Sequence, residues 1–270
     1  MIRARIRDWL QTRPLLDASF RRHIWSRIHF PEAELRALHK LRAGSIDCAV
    51  DVGAALGGYA WILSRKARQV LCYEPGQVHG DYLRATIAGS NIELVQAAVG
   101  REAGELDLFT PGSDTDARHM ATLSRDNPAA HAAGTIVRRV PVVSLDEDLP
   151  ARLPVGGRVD VLKVDVEGYE NAVFEGATDT LARHRPLVIA EIETRHNPRY
   201  AEVFLLLERL GYQACFWRDG GYQPLQGHDI APLQRPEDLQ VRLQPGQSAL
   251  ENRYINNFIF QHPDTRTRLA

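Results

Sequence analysis

Two periodicities divide this chain. Over residues 1–44 apolar positions recur every three or four residues: Ile2, Ile6, Trp9 and Leu10, then Phe20, Ile24, Trp25 and Ile28, then Leu35, Leu38 and Leu41. Such spacing gathers them on one helical face and predicts an amphipathic helical extension. Pro14 and Pro31 divide it into about three helices, because proline lacks the N–H that an interior turn needs. Gly44 is the expected stop.

From residue 46 the pattern becomes strand, turn, helix, repeated. Apolar runs predict strands over 46–52, 69–73, 91–99, 135–143, 159–165, 187–192, 212–217 and 255–261, with 105–109 as an added strand. Helical spacing covers 57–66, 77–88, 169–183 and 199–210. Strands alternating with helices predict a mostly parallel sheet covered on both faces, here seven-stranded, with right-handed crossovers. Gly220-Gly221 reads as a hairpin turn. Residues 111–134 and 226–250 break the rhythm and cluster Pro, Gly, Ser, Asp and Gln. Irregular segments that long tend to carry function, and these two are the expected substrate or lid segments. The organisation read here is a helical extension over 1–44 and an α/β domain over 45–270.

The run Val161-Leu-Lys-Val-Asp-Val-Glu-Gly-Tyr-Glu170 is the most informative. Lys163, Asp165 and Glu167 alternate with apolar residues, which in a strand places all three charges on one face. Lysine occurs only at 40, 66 and 163 among 33 basic residues, so a chain that otherwise uses arginine has kept a lysine inside an apolar strand. A buried ammonium needs a counter-charge, and Asp51 or Glu191 on the flanking strands are the expected partners.

Composition narrows the class. The 270 residues are 44% hydrophobic and 25% charged, enough for a substantial core. A net charge of −1 gives no global pull toward nucleic acid. Cys48, Cys72 and Cys215 show no metal-ligand spacing and read as reduced thiols of a cytoplasmic protein. No apolar run is long enough for a membrane span, and Arg3, Arg5, Arg7 and Asp8 interrupt any signal-peptide core. The Arg-rich residues 1–30 are a candidate for peripheral membrane or partner contact. The preferred reading is a helix docked on the domain or at a homo-oligomer interface.

Val50-Asp-Val-Gly-Ala-Ala-Leu-Gly-Gly58 ends a strand on glycines just before a helix. Such a turn lets a ligand approach the backbone beside free helical N–H groups. The spacing Gly53-x-x-x-Gly57, with Ala55 between, is not the dinucleotide fingerprint. It counts against a nicotinamide oxidoreductase, which stays as an alternative beside a non-catalytic scaffold. Tyr73-Glu-Pro75 puts an acid at the next strand end, where nucleotide folds grip ribose hydroxyls.

Together with Asn91-Ile-Glu-Leu-Val-Gln-Ala-Ala-Val-Gly100, Val143-Ser-Leu-Asp146, Leu162–Glu170 and Glu191-Ile-Glu193, these motifs resemble the FkbM family of methyltransferases over roughly 46–262. The lysine–aspartate–glutamate–glycine run is the specific part; the glycine motif is shared more widely. The resemblance implies a Rossmann-like class I methyltransferase fold. It further implies S-adenosylmethionine as cofactor and O-methylation of a sugar, glycan, glycolipid or polyketide-type hydroxyl. The implied cofactor contacts are Asp51, Gly53, Ala54, Gly57, Glu74 and Pro75, with Gln96 and Ala97 beside the adenine and Asp165 beside the transferring methyl. The catalytic candidates are Asp165 first, then His196, with Glu167 next to the site and His119 on the long loop. Asp165, Glu191 and Glu193 are candidate ligands for a divalent cation such as Mg²⁺, because carboxylates at neighbouring strand ends suit hard cations.

Overall fold

The computed structural model describes residues 33–112, 121–239 and 254–269. The expected helices over residues 1–32, His119, and residues 240–250 of the second irregular segment lie outside the described residues.

Helix α1 (Ala33–Lys40) precedes the alternating region, which opens with β1 (Ile46–Val52), α2 (Gly58–Ser64), β2 (Ala67–Tyr73), α3 (Gln77–Ile87) and β3 (Ile92–Val95). The short β4 (Ala98–Val99), β5 (Gly104–Thr110) and β6 (Ile136–Val143) follow, then α4 (Leu145–Arg152) and β7 (Val159–Val164). After α5 (Glu170–Glu175) and α6 (Thr178–His184) come β8 (Leu187–Glu191), α7 (Tyr200–Arg209), β9 (Gln213–Arg218), β10 (Gly221–Pro224), α8 (Pro236–Leu239) and β11 (Asn257–Gln261).

The main sheet runs β10-β9-β11-β8-β7-β1-β2-β3. β3, β2, β1, β7 and β8 pair in parallel, whereas β11 is antiparallel to both β8 and β9. The expected mostly parallel α/β sheet is therefore present, with eight strands where seven were expected. The extra strand, β10, returns from Asp219-Gly220, both at positive φ, and pairs Gly221 with Arg218. The hairpin turn thus sits one residue earlier than Gly220-Gly221, as a two-residue loop of the kind that matches strand twist.

Both sheet faces are covered because the strands are apolar on both sides. On one face Val50, Leu162, Val188 and Phe258 pack against Leu149 of α4, Phe174 of α5 and Phe204 of α7. Phe204 meets Phe258 edge-on at 5.2 Å, a pair worth about 1 kcal/mol beyond its buried area. On the other face Ala49, Val70 and Val161 pack against Leu38 of α1, Leu63 of α2 and Leu83 of α3. Residues 33–40, counted with the extension by sequence, therefore share the core of the α/β domain.

Local chemistry explains two departures from the expected elements. The strand expected over 91–99 breaks at Gln96-Ala97, where the Ala97 N–H bonds back to Val95 O and turns β4 away. β4 joins β6 and β5 in a separate three-stranded sheet, which absorbs both the added strand and the strand expected over 135–143. The single helix expected over 169–183 divides at Gly176, where a Cβ would overlap Gly100 O. Ser144 caps α4 by accepting the Glu147 N–H at 3.2 Å, and Asp146 accepts the Asp179 and Thr180 N–H groups at the start of α6. The Val143–Asp146 motif is thus a helix-capping device.

Candidate functional site

The chain leaves β1 toward β2 on one side and later returns to β7 on the other, so the carboxyl ends of β1 and β7 flank a topological switch point. Open α/β sheets bind ligands there. A cleft of about 480 Å³ occupies this place, within the ordinary range for ligand pockets. Its wall includes Asp51, Gly53, Glu74, Lys163, Asp165, Glu167 and Glu191.

Gly53 has φ 78°, and a Cβ there would overlap the Asp165 carbonyl oxygen. Its missing side chain admits the end of β7, so the turn after β1 and the turn after β7 touch through backbone. Gly57, at φ 81°, caps α2 in the left-handed region. Its Cβ would meet Leu83 Cδ2 at 2.7 Å, and the residue braces the loop from behind the cleft wall. Ala54 lines the cleft and is buried.

Asp51 is buried, and burial pushes its carboxyl up to about 7 against the pull of Lys163. It accepts the Ala60 N–H near the start of α2, while Oδ2 has no hydrogen-bond partner. A buried, unsatisfied carboxylate oxygen on a cleft wall calls for a donor from a ligand. Glu74 Oε2 accepts the Ala55 N–H at 2.9 Å and Oε1 the Gly76 N–H at 2.7 Å, tying the two loops together. Each oxygen keeps a second lone pair. Pro75 lines the cleft, and His79, which no sequence pattern marked, lies 3.7 Å from Glu74 Oε1.

Gln96 lines an adjoining groove that shares Pro75, His79, Leu108 and Ala121 with the cleft. Ala97 does not face it: the break after Val95 turns this residue into the core beside Tyr73 and Leu145. Ala98 and Val99 line the cleft in its place.

The charged run divides after Val164, the last residue of β7. Lys163 is 1% exposed, and its ammonium lies 3.6 Å from Asp165 Oδ2 and 4.9 Å from the Tyr59 ring centroid. It pairs with Asp165, two residues along its own chain, and the expected partners Asp51 and Glu191 also feel its charge. Both remain close enough for Lys163 to favour their ionised forms. Glu167 departs from strand alternation: its φ is +52°, and its carboxylate turns to His196, with Nδ1 2.7 Å from Oε2. Burial raises the Glu167 pKa against the lowering hydrogen bond from His196. His196 is buried and stands behind Glu167, off the cleft wall.

The carbonyl oxygen of Glu167 accepts from Thr122 Oγ1 and Asn127 Nδ2, each at 2.6 Å. Both donors are buried and come from the long irregular segment. A non-glycine residue in the left-handed region costs about 1–2 kcal/mol, and these contacts hold it there. Neither donor showed a sequence signal, since each acts across about forty positions.

The candidate metal ligands are each engaged by the protein. Asp165 pairs with Lys163, Glu191 accepts from Asn256 Nδ2 at 2.6 Å, and Glu193 pairs with Arg195 and accepts from Tyr254 OH at 2.8 Å. Among the described residues no group of three or more His, Cys, Asp or Glu is arranged to hold a metal ion. Burial and the negative charges of Asp165, Glu167 and Glu193 push Glu191 well above the usual carboxylate range. For Glu193, burial raises the pKa, but hydrogen bonds from Arg195 and Tyr254 outweigh it and leave the carboxyl below its usual range.

Comparison with known sequences decides the family. The methyltransferase FkbM domain matches residues 51–214, more than half of the chain. The chain belongs to the FkbM methyltransferase family. Its match opens at Asp51 on β1 and closes within β9, so it takes in the lining of the switch-point cleft apart from Leu35. This FkbM chain is 29% identical over 150 residues to Methyltransferase 1 of Beauveria bassiana (strain ARSEF 2860). That stretch covers 48% of the chain and 58% of the fungal protein, so the chain spans less than two thirds of that relative. Among solved structures it is similar to an FkbM methyltransferase from Methylobacillus flagellatus KT, with TM-score 0.44 and 16% identity, covering 82% of this chain and 45% of that one. It is also similar to precorrin-6y C5,15-methyltransferase from Geobacter metallireducens GS-15, with TM-score 0.40 and 10% identity, covering 84% and 86%.

Proposed function

We propose that this protein transfers the methyl group of S-adenosylmethionine to a hydroxyl of a sugar, glycan or polyketide-type acceptor, with Glu167 as the general base. The observation that carries the reading is Glu167 on the cleft wall, its carboxylate backed at 2.7 Å by buried His196. When bound, S-adenosylmethionine supplies a methyl already activated on a sulfonium. The residues that would hold it are Asp51, with its unsatisfied oxygen, the 53–57 loop, and Glu74 for the ribose hydroxyls.

The protein's part is then alignment and proton removal. Positioning an acceptor oxygen can supply about 7–11 kcal/mol. Asp165, a third exposed and held by Lys163, is placed to orient that oxygen. Glu167, whose pKa is raised by burial, is the proton acceptor, and a general base contributes about 10²–10⁴-fold. His196 fixes the Glu167 carboxylate through their 2.7 Å contact.

Calorimetric titration with S-adenosylhomocysteine and with NAD separates the readings. The methyltransferase reading expects the first to bind and the second not to; binding of neither favours a scaffold. Release of S-adenosylhomocysteine from a panel of sugar nucleotides, glycolipids and polyketide alcohols then finds the acceptor. On that acceptor, E167Q is expected to lose about 10²-fold or more in kcat. A variant as active as the parent would remove Glu167 from the base role.

A further inference from the structure

Glu170 opens α5, is 1% exposed, and faces away from the cleft wall. Its two carboxylate oxygens take different partners. Oε1 accepts the Gly168 N–H at 2.8 Å, and Oε2 accepts Asn197 Nδ2 at 2.7 Å. Gly168 directly follows Glu167, and Asn197 directly follows His196. One buried carboxylate therefore ties together the residues next to both members of the Glu167–His196 pair.

We infer that Glu170 is a positioning residue that sets the Glu167–His196 geometry by clamping Gly168 and Asn197. The inference rests on the reading of Glu167 and His196 as the proton-transfer pair. A carboxylate at a helix start would satisfy helical N–H groups without leaving its own segment. Glu170 in addition reaches a side chain 27 residues away, on the loop between β8 and α7. That loop is held in register by further bonds. Asn197 Nδ2 also donates to Asn171 Oδ1 at 2.8 Å, and Asn197 Oδ1 accepts the Arg199 N–H at 3.0 Å. The other side of the clamp is equally tight: a Cβ at Gly168, φ +97°, would overlap His196 O. The two turns thus touch through backbone at Gly168–His196, through side chains at Glu167–His196, and through the Glu170–Asn197 bridge. Removing the bridge leaves Glu167, at positive φ, with one fewer restraint on its following peptide.

Substitution gives a graded prediction. In E170Q the side-chain oxygen can still accept the Gly168 N–H, but its NH₂ opposes the Asn197 NH₂. Asn197 cannot turn over without losing its bonds to Asn171 and Arg199. E170A loses both arms, and N197A loses only the bridge.

The test reads the pair itself and needs no acceptor. The imidazole protons of histidine-labelled full-length protein are followed by NMR, with H196Q assigning the His196 signal. The parent is expected to show a hydrogen-bonded His196 Nδ1 proton that E167A abolishes. E170A and N197A should shift or lose that signal, with E170Q between them and the parent. S-adenosylhomocysteine affinity should stay within about twofold, because Glu170 does not line the cleft. A general loss of stability would leave the signal in place while the protein remains folded. An unchanged His196 proton in folded E170A and N197A would overturn the inference. Should E170A fail to fold, E170Q and N197A decide by the same signal. If the parent lacks the proton, or E167A leaves it unmoved, the pair does not form in solution, and the base reading falls before the clamp.

Discussion

Lys163 and Asp51 stand directly opposite each other in the parallel β1–β7 register, and the Lys163 ammonium lies 3.6 Å from the Asp165 carboxylate. One cation thus serves a carboxylate on its own chain while lowering the cost of a buried carboxylate on the next strand. Carboxylates crowd the mouth of this sheet, and the buried Lys163 ammonium moderates their mutual repulsion.

K163M should therefore affect both folding and the cleft. Breaking a buried pair costs about 3–5 kcal/mol; because Asp165 is a third exposed, water recovers part of this, and roughly 2 kcal/mol is expected. Urea denaturation and S-adenosylhomocysteine titration measure the two effects. If neither the unfolding midpoint nor the affinity moves, Lys163 supports neither the fold nor the cleft.

Gly53 and Gly89 separate backbone strain from close approach. Their φ values are 78° and 72°, but a Cβ at Gly89 meets nothing within 4 Å, whereas at Gly53 it would overlap Asp165 O. G89A should cost about 1–2 kcal/mol, the left-handed penalty alone. G53A should cost more and displace the β7 end, so cofactor affinity falls only in G53A. Equal losses in the two variants on thermal melting would show that the contact between the two turns is unimportant.

T122V and N127A each remove one donor from the Glu167 carbonyl. A lost hydrogen bond to a buried acceptor costs about 1–3 kcal/mol. Because both act on one oxygen, the double variant should depart from the sum of the single losses in unfolding free energy. Strict additivity would mean that the two donors hold Glu167 independently.

Stability should depend on pH through Glu170. Burial raises this carboxyl from an ordinary 4.5 to about 7 in the folded protein, against the hydrogen bonds from Gly168 and Asn197. A raised folded pKa means that folding favours the protonated form. The contribution is therefore complete below about 4.5 and is lost as pH climbs through about 7. At 1.36 kcal/mol per unit the loss is about 3 kcal/mol. Asp51, also raised to about 7 by burial, adds in the same direction. The melting temperature should fall between about pH 5 and pH 8 in the parent, and E170Q, which cannot ionise, should flatten that slope. A slope of equal steepness in E170Q would remove Glu170 from the account.

The parts of this protein legible in the sequence are those encoded by neighbours along the chain. Apolar runs marked the strands of the parallel half of the sheet, because a strand buried on both faces needs apolar residues throughout. Chain order placed the acids Asp51, Glu74 and Asp165 at strand ends, and a parallel sheet brings those ends to one edge. The glycine turn and the lysine–aspartate–glutamate–glycine run were readable for the same reason: each is contiguous.

What tertiary structure alone decided depends on partners distant in sequence. Alternation put Lys163, Asp165 and Glu167 on one face, but the strand ends at Val164 and a left-handed turn sends Glu167 to His196. Thr122 and Asn127 reach Glu167 across 45 and 40 positions, and Asn197 reaches Glu170 across 27. Ala97, expected beside the adenine from the resemblance, lies in the core after one backbone bond turns the chain. The sequence alone determined which residues meet at the switch point, because periodicity and chain order fix strand ends. Which carboxylate faces the cleft, and what holds it there, emerged only in the fold, because hydrogen bonds between separate loops leave no period in the chain.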